Sequence, residues 1–166
     1  MDVDSIFHRT YPRLFRYLHR LTGSPDTADD LAQESFVRLV SRPPPDADVQ
    51  PWLFRVATNL FLDGARAAGR HRRLLASAPL DPPAPPLPDE AVEHAERVRR
   101  VRAALERIPE RDRAILLMRA EGFRYEEIAH AVDVAPSSIG PLLARAVRRF
   151  VTVYSRPEGG NDDASE

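Results

Sequence analysis

Apolar positions recur every three to four residues through most of the chain, and no stretch of useful length alternates with period two. The pattern therefore predicts helices and no sheet. Ile6, Phe7, Leu14, Leu18 and Leu21 give an apolar side to a first helix over about 3–21, which Gly23 ends. Ser24-Pro25 then form an N-cap and first-turn pair for a second helix through about Val40. In it Ala28, Leu31, Ala32, Phe36 and Leu39 repeat at helical spacing and pack inward. Asp30, Gln33 and Glu34, at i, i+3 and i+4, share another face. After Pro43-Pro44-Pro45 a third helix is predicted from near Pro51 to about Arg73, with Leu53, Val56, Ala57, Leu60 and Gly64 toward the core. Its other side carries Arg55, Asn59, Asp63, Arg66, Arg70 and Arg73, a mostly basic stripe over about five turns. Trp52, Phe54 and Phe61 interleave with it. Rings beside arginines can stack unpaired bases while the charges hold phosphates, although Phe54 and Phe61 fit a core role better.

Residues 105–150 read as a second set of helices. Ile108-Pro109 marks a boundary, Ala114 to Met118 is apolar, and Gly122 stops that helix. Tyr125 to Val132 is short and amphipathic, with Glu126 and Glu127 in its first turn, where the helix dipole favours them. Asp133-Val134-Ala135 is a tight turn before a last helix, about 137–150, bearing Arg145, Arg148 and Arg149. Two short helices, the second basic, suit insertion into a DNA major groove. A plain helical hairpin with solvated arginines is the competing reading.

Charge sharpens this organisation. The net charge of −1 conceals segregation: residues 1–75 carry +2, 76–96 carry −5, 97–156 carry +6 and 157–166 carry −4. Basic blocks around an acidic connector fit a nucleic-acid binder. All 24 basic residues are arginine, which codon usage explains as readily as function. Residues 76–96 hold six prolines, which exclude helix and sheet and favour an extended linker. The fold class expected is all-α: two small helical domains, 1–75 and 97–156, joined by a flexible Pro-rich acidic linker over 76–96 and moving relative to each other. The tail, 157–166, has a disordered composition.

Several classes are set aside. There is no cysteine, so disulfides and thiolate zinc sites are out. The five histidines (8, 19, 71, 94 and 130) lack ligand spacing, and no cofactor or metal is expected. No apolar run is long enough to span a membrane, and no signal-peptide pattern is visible, so a cytoplasmic protein without membrane insertion is expected. Without a glycine-rich phosphate loop or a nucleophile motif, no catalytic residue is assigned and an enzyme is not expected.

Asp29-Asp30-Leu31-Ala32-Gln33-Glu34-Ser35-Phe36, Pro51-Trp52-Leu53-Phe54-Arg55-Val56-Ala57-Thr58-Asn59-Leu60 and Asp63 resemble region two of the bacterial sigma-70 superfamily, in its extracytoplasmic-function branch. Residues 105–150, with Tyr125-Glu126-Glu127-Ile128-Ala129 and Leu143-Ala144-Arg145-Ala146, resemble that branch's region four. The resemblance implies a sigma factor that binds core RNA polymerase and promoter DNA to initiate transcription. It places polymerase binding on Asp30, Gln33, Glu34 and Phe36. It places minus-ten recognition on the loop before Trp52 and on Trp52, Arg55, Asn59, Asp63, Arg66 and Arg70, with an extruded base offsetting its unstacking cost. Minus-thirty-five recognition falls to Ser137, Ser138, Arg145, Arg148 and Arg149. The acidic linker would cross the polymerase interior. An anti-sigma factor is an expected partner, and the free chain is expected to be a monomer. A stand-alone helix-turn-helix regulator is the runner-up, but it leaves the Asp30 face and Asn59 unused.

Two departures from the family stand out. Arg124 occupies the cap before Tyr125, and Ile139-Gly140-Pro141-Leu142 lies where many relatives carry DNA-reaching residues. Proline inside a helix costs about 3 kcal/mol or more. The expectation is therefore a last helix capped by Ser138, with Pro141 at its third position, or one that is kinked. Its arginines would contribute mainly phosphate contacts, which position without specifying.

Overall fold

The computed structural model describes residues 1–45, 48–71 and 89–156, with 69–71 described by their backbone alone. The stretch from Arg72 to Pro88, the tail from Pro157 onward and the Arg70 side chain lie outside that description. Seven helices make up the described residues: α1 (Val3–Thr22), α2 (Pro25–Ser41), α3 (Val49–His71), α4 (Asp89–Arg107), α5 (Glu110–Ala120), α6 (Tyr125–Val132) and α7 (Pro136–Ser155).

Local chemistry sets most of the ends. Gly23 takes the left-handed conformation, φ 72°, and its N–H closes on the His19 carbonyl at 2.9 Å. Ser24 caps α2 through its side chain, with Pro25 in the first turn. The third helix starts earlier than Pro51, because Asp48 accepts from the Gln50 N–H at 3.2 Å and caps it. The fourth also starts early. Asp89 to Glu96, counted with the linker on composition, are helical, since no proline lies between Pro88 and Pro109 and Asp89 and Glu90 suit the first turn.

The N-terminal half is a three-helix unit. Leu14, Leu18, Leu21, Ala28, Ala32, Leu39 and Leu53 are all fully buried within it. Tyr17 is buried too, and its hydroxyl meets Thr58 Oγ1 at 2.7 Å. Burial pushes its pKa upward, against the smaller opposing effect of the Thr58 bond. Tyr11 donates to Asp29 Oδ1, tying α1 to α2. Burial, then that hydrogen bond and the Asp29 charge, push the Tyr11 pKa from 10.0 up to about 12. A raised phenol pKa contributes stability that is fully present below pH 10 and is lost as pH climbs through about 12. Between those limits the stability of the parent protein should fall more steeply than that of Tyr11→Phe, a difference readable in urea titrations at stepped pH.

The two halves pack against each other instead of standing apart. A single apolar core runs from Leu14 and Phe54 to Met118, Phe123 and Ile128. The face of α3 is correspondingly broader than the one-sided stripe the periodicity predicts. Phe54, Ala57 and Thr58 are fully buried, whereas Val56 and Leu60 sit at the margin and Gly64 is exposed with nothing within 4 Å of a Cβ there. The cause is a second neighbour: α3 is covered by α2 on one side and by α5 and α6 on another.

Polar contacts hold the joint between halves. Arg13 lies against the Phe54 and Phe123 rings, 5.4 and 5.5 Å from their centroids. Its Nε donates to Glu121 Oε2 at 2.8 Å. From α5, the buried Arg113 donates to the Leu21 carbonyl at 2.7 Å and to the Glu106 and Ile108 carbonyls at 3.3 Å. One guanidinium thus satisfies carbonyls of both halves at once.

Candidate nucleic-acid interface

A cleft of about 520 Å3 opens where the end of α2 meets α3, lined by Arg38, Ser41, Arg42, Trp52, Arg55, Val56 and Asn59. It gathers three of the predicted minus-ten residues: half-buried Trp52 and Arg55, and exposed Asn59. Asp63 and Arg66 lie farther along α3 and outside it. They face each other at 3.9 Å, each 73% exposed, so their pairing is worth little. The contribution of Arg38, Ser41 and Arg42 is not apparent from α3 periodicity. Only the position of Arg42 beside the proline loop hints at it. Arg38 is held by Glu34 at 2.9 Å. These are groups that can serve a nucleotide: an indole can stack on a base, an amide can meet a base edge and guanidinium groups can hold phosphate.

On the outer side of α2, Asp30, Gln33 and Glu34 are exposed, as their spacing predicts. Gln33 Nε2 donates to Asp29 Oδ2 at 2.8 Å, so Asp29 belongs to the same acidic face. Phe36 does not present itself there. It is buried in register with Ala28, Ala32 and Leu39, its ring edge-on to Phe7 at 5.0 Å. Its helical phase explains why: residue 36 follows 28 and 32 on the inward row of the helix.

The C-terminal half forms the expected helix-turn-helix. Arginine has no acceptor to cap α6. Glu127 reaches back instead, accepting from the Arg124 N–H at 2.7 Å, which is half of a capping box. Asp133 adopts φ 57° and ψ 56°, taking the left-handed turn position usually given to glycine. The last helix then begins at Pro136 with Ala135 as its cap, so Ser138 is not the cap. Pro136 is pre-set for the first helical position and decides the start. Pro141 is therefore the sixth helical residue, and the Ser137 carbonyl lacks the N–H it would otherwise receive.

Ser137 is exposed and Ser138 half-buried at the first turn of α7, and Arg148 is exposed on its outer side. Arg145 and Arg149 are placed differently. They converge on Asp112 of α5, whose side chain is 1% exposed, at 3.6 and 2.5 Å. Their guanidinium groups thus neutralise a buried carboxylate and fasten α7 to α5. Sequence spacing does not reveal this, because Glu110-Arg111-Asp112-Arg113 reads as a solvated charge run. Among the described residues no group of histidine or acidic side chains has the arrangement of a metal site, and no helix is long and apolar enough to cross a membrane.

Comparison with known proteins assigns the class. Residues 6–71 match the family Sigma-70 region 2, and residues 98–150 match Sigma-70, region 4. The chain belongs to the sigma-70 family. It falls in the extracytoplasmic-function branch: it is 34% identical over 148 residues to the ECF RNA polymerase sigma factor SigE of Mycolicibacterium smegmatis, covering 86% of this chain and 57% of that relative. It is 31% identical over 147 residues to the ECF RNA polymerase sigma factor EcfG of Rhodopseudomonas palustris, covering 81% of this chain and 75% of the relative. The fold also matches the sigma factor RpoE of Bartonella quintana, solved with the anti-sigma factor NepR, at a TM-score of 0.69 and 22% identity over 92% of this chain and 96% of that one. Both sigma regions are present in order, so the stand-alone helix-turn-helix reading, which accounts for the second alone, is set aside.

Proposed function

We propose that the chain recruits core RNA polymerase through Asp30, Gln33 and Glu34, with Asp29 beside them, and opens promoter DNA with the cleft between α2 and α3. The observation that carries this reading is the cleft itself, in which Trp52, Asn59 and three guanidinium groups meet on the region-two half. A flipped minus-ten base stacks on Trp52 and meets Asn59, while Arg55, Arg38 and Arg42 hold its phosphates. Asp63, Arg66 and Arg70 extend the contact along α3. At the other end, Ser137 and Ser138 meet the minus-thirty-five element at the N-terminus of α7, and Arg148 contacts phosphate. Arg145 and Arg149 support the helix from behind. An anti-sigma factor is the partner expected to hold the protein idle, by analogy with the Bartonella pair.

The test is direct. Asp30→Arg with Glu34→Arg should weaken core-polymerase binding on the order of 100-fold, a like-charge cost of a few kcal/mol. Asn59→Ala should leave that affinity unchanged and suppress run-off transcription. Undiminished polymerase binding by the charge-reversed protein would sink the assigned interface.

A further inference from the structure

We propose that α7 reads the minus-thirty-five element through thymine methyl groups, which Pro141 and Ala144 contact, and not through hydrogen bonds to base edges. This rests on region four being the minus-thirty-five reader. Ser137, Pro141, Ala144 and Arg148 stand at i, i+4, i+7 and i+11, so they form one row along the helix. All four are exposed. The opposite face is taken up by packing: Ile139 and Ala146 are buried, and Leu142, Leu143 and Phe150 lie against the core. Arg145 and Arg149 lie off the row and are held by Asp112. Gly140 adds no side chain beside the row, and the Tyr125 ring passes 3.9 Å from where its Cβ would stand.

Helix geometry decides which of the four can meet bases. Ser137 to Ala144 spans about 10 Å of helix axis, which fits within a major groove about 12 Å wide. Arg148 lies about 16 Å from Ser137, past the groove, where a guanidinium meets phosphate. The part of the row inside the groove is thus one hydroxyl, one pyrrolidine ring and one methyl. Guanine is held in this groove by arginine or lysine, and adenine by asparagine or glutamine. The row offers none of these there. A serine hydroxyl both donates and accepts, so it discriminates poorly. What an apolar surface does distinguish in the major groove is the 5-methyl of thymine. Short side chains also let the α7 backbone come near the groove floor. Pro141 and Ala144 are about 4.5 Å apart along the axis, so they meet base pairs one or two steps apart at about 3.4 Å per step.

Uracil differs from thymine by that methyl alone, which makes the test specific. Holoenzyme formed from core RNA polymerase and the full-length chain is offered duplexes randomised across the upstream element. It should select thymine, on either strand, at two positions one or two base pairs apart. Replacing either thymine by uracil should weaken holoenzyme binding about fourfold, the effect of burying one methyl. Ala144→Asn should bring the thymine-to-uracil ratio near one at one position and leave it at about fourfold at the other. It should also favour adenine at the first, because its amide can pair with that base edge. Pro141→Ala keeps a smaller apolar surface and should lower the ratio at the second position only in part. A variant that merely loosened α7 would weaken thymine and uracil duplexes alike, and circular dichroism checks that the helices remain. Equal binding of thymine and uracil duplexes, or selection of G·C pairs alone, would overturn the proposal. So would Ala144→Asn weakening core-polymerase binding while uracil is tolerated, which would make the row a protein contact. If scrambling the upstream element changes nothing, the minus-thirty-five assignment itself fails. If scrambling weakens binding and uracil does not, that assignment stands and the methyl reading is lost.

Discussion

Replacing Arg145 and Arg149 together with alanine should cost about 3–5 kcal/mol of stability, because it leaves the Asp112 carboxylate, 1% exposed beneath them, without the two cations that neutralise it. The two arginines are themselves 40% and 43% exposed, so little of that cost comes from their own desolvation. It falls on Asp112. For a chain of this length the melting temperature should drop on the order of 10 °C. Arg149→Ala should do more harm than Arg145→Ala, since its contact is 2.5 Å against 3.6 Å. Adding Asp112→Asn to the double variant should recover more than half of the loss, since the stranded charge is gone. Urea unfolding followed by circular dichroism measures each value. If the arginines served only as phosphate contacts, promoter affinity would fall while the urea midpoint stayed put.

Phe54→Ala should lose about 3–5 kcal/mol as well, the range for emptying a fully buried phenylalanine site. Its effect on cooperativity is more telling. The ring touches Tyr17 at a centroid distance of 5.0 Å, Phe123 at 4.8 Å and the Arg13 guanidinium at 5.4 Å, so it is wall to both halves. The parent protein should unfold in one calorimetric transition and the variant in two. Phe54→Leu, which keeps most of the volume, should retain the single transition at a cost below about 2 kcal/mol. A single transition for Phe54→Ala, lowered by less than about 1 kcal/mol, would show that the halves do not share a core.

How much of this was legible in the residues depended on the range of each interaction. The end of α1 at Gly23 and the start of α2 at Ser24-Pro25 follow from the conformational limits of single residues, and they read correctly. Pro136 carries a signal of the same local kind. It starts α7 at Pro136, ahead of the Ser138 cap that a helix accommodating Pro141 near its N-terminus would need. The acidic face of α2 follows from helical spacing, which needs no partner. Spacing alone could not find the true inner surface of α3, because Phe54 and Thr58 are buried by helices more than fifty residues away in sequence. The same limit hid the partners of Arg145 and Arg149. A guanidinium on an amphipathic helix looks solvated until the carboxylate across from it is known. The cleft was legible on the side supplied by α3 and obscure on the side supplied by the last turn of α2.

The joint between the halves also bears on how the chain is made. Phe54 is synthesised 69 residues before the Phe123 ring that covers it. At about 5–20 residues per second, the first three helices leave the ribosome about 3–14 s ahead of their cover. During that interval the aromatic face of α3 is open to chaperones and to other nascent chains, and the Arg13 guanidinium has no carboxylate to meet. Translation speed across the intervening codons therefore sets how long this face stays bare.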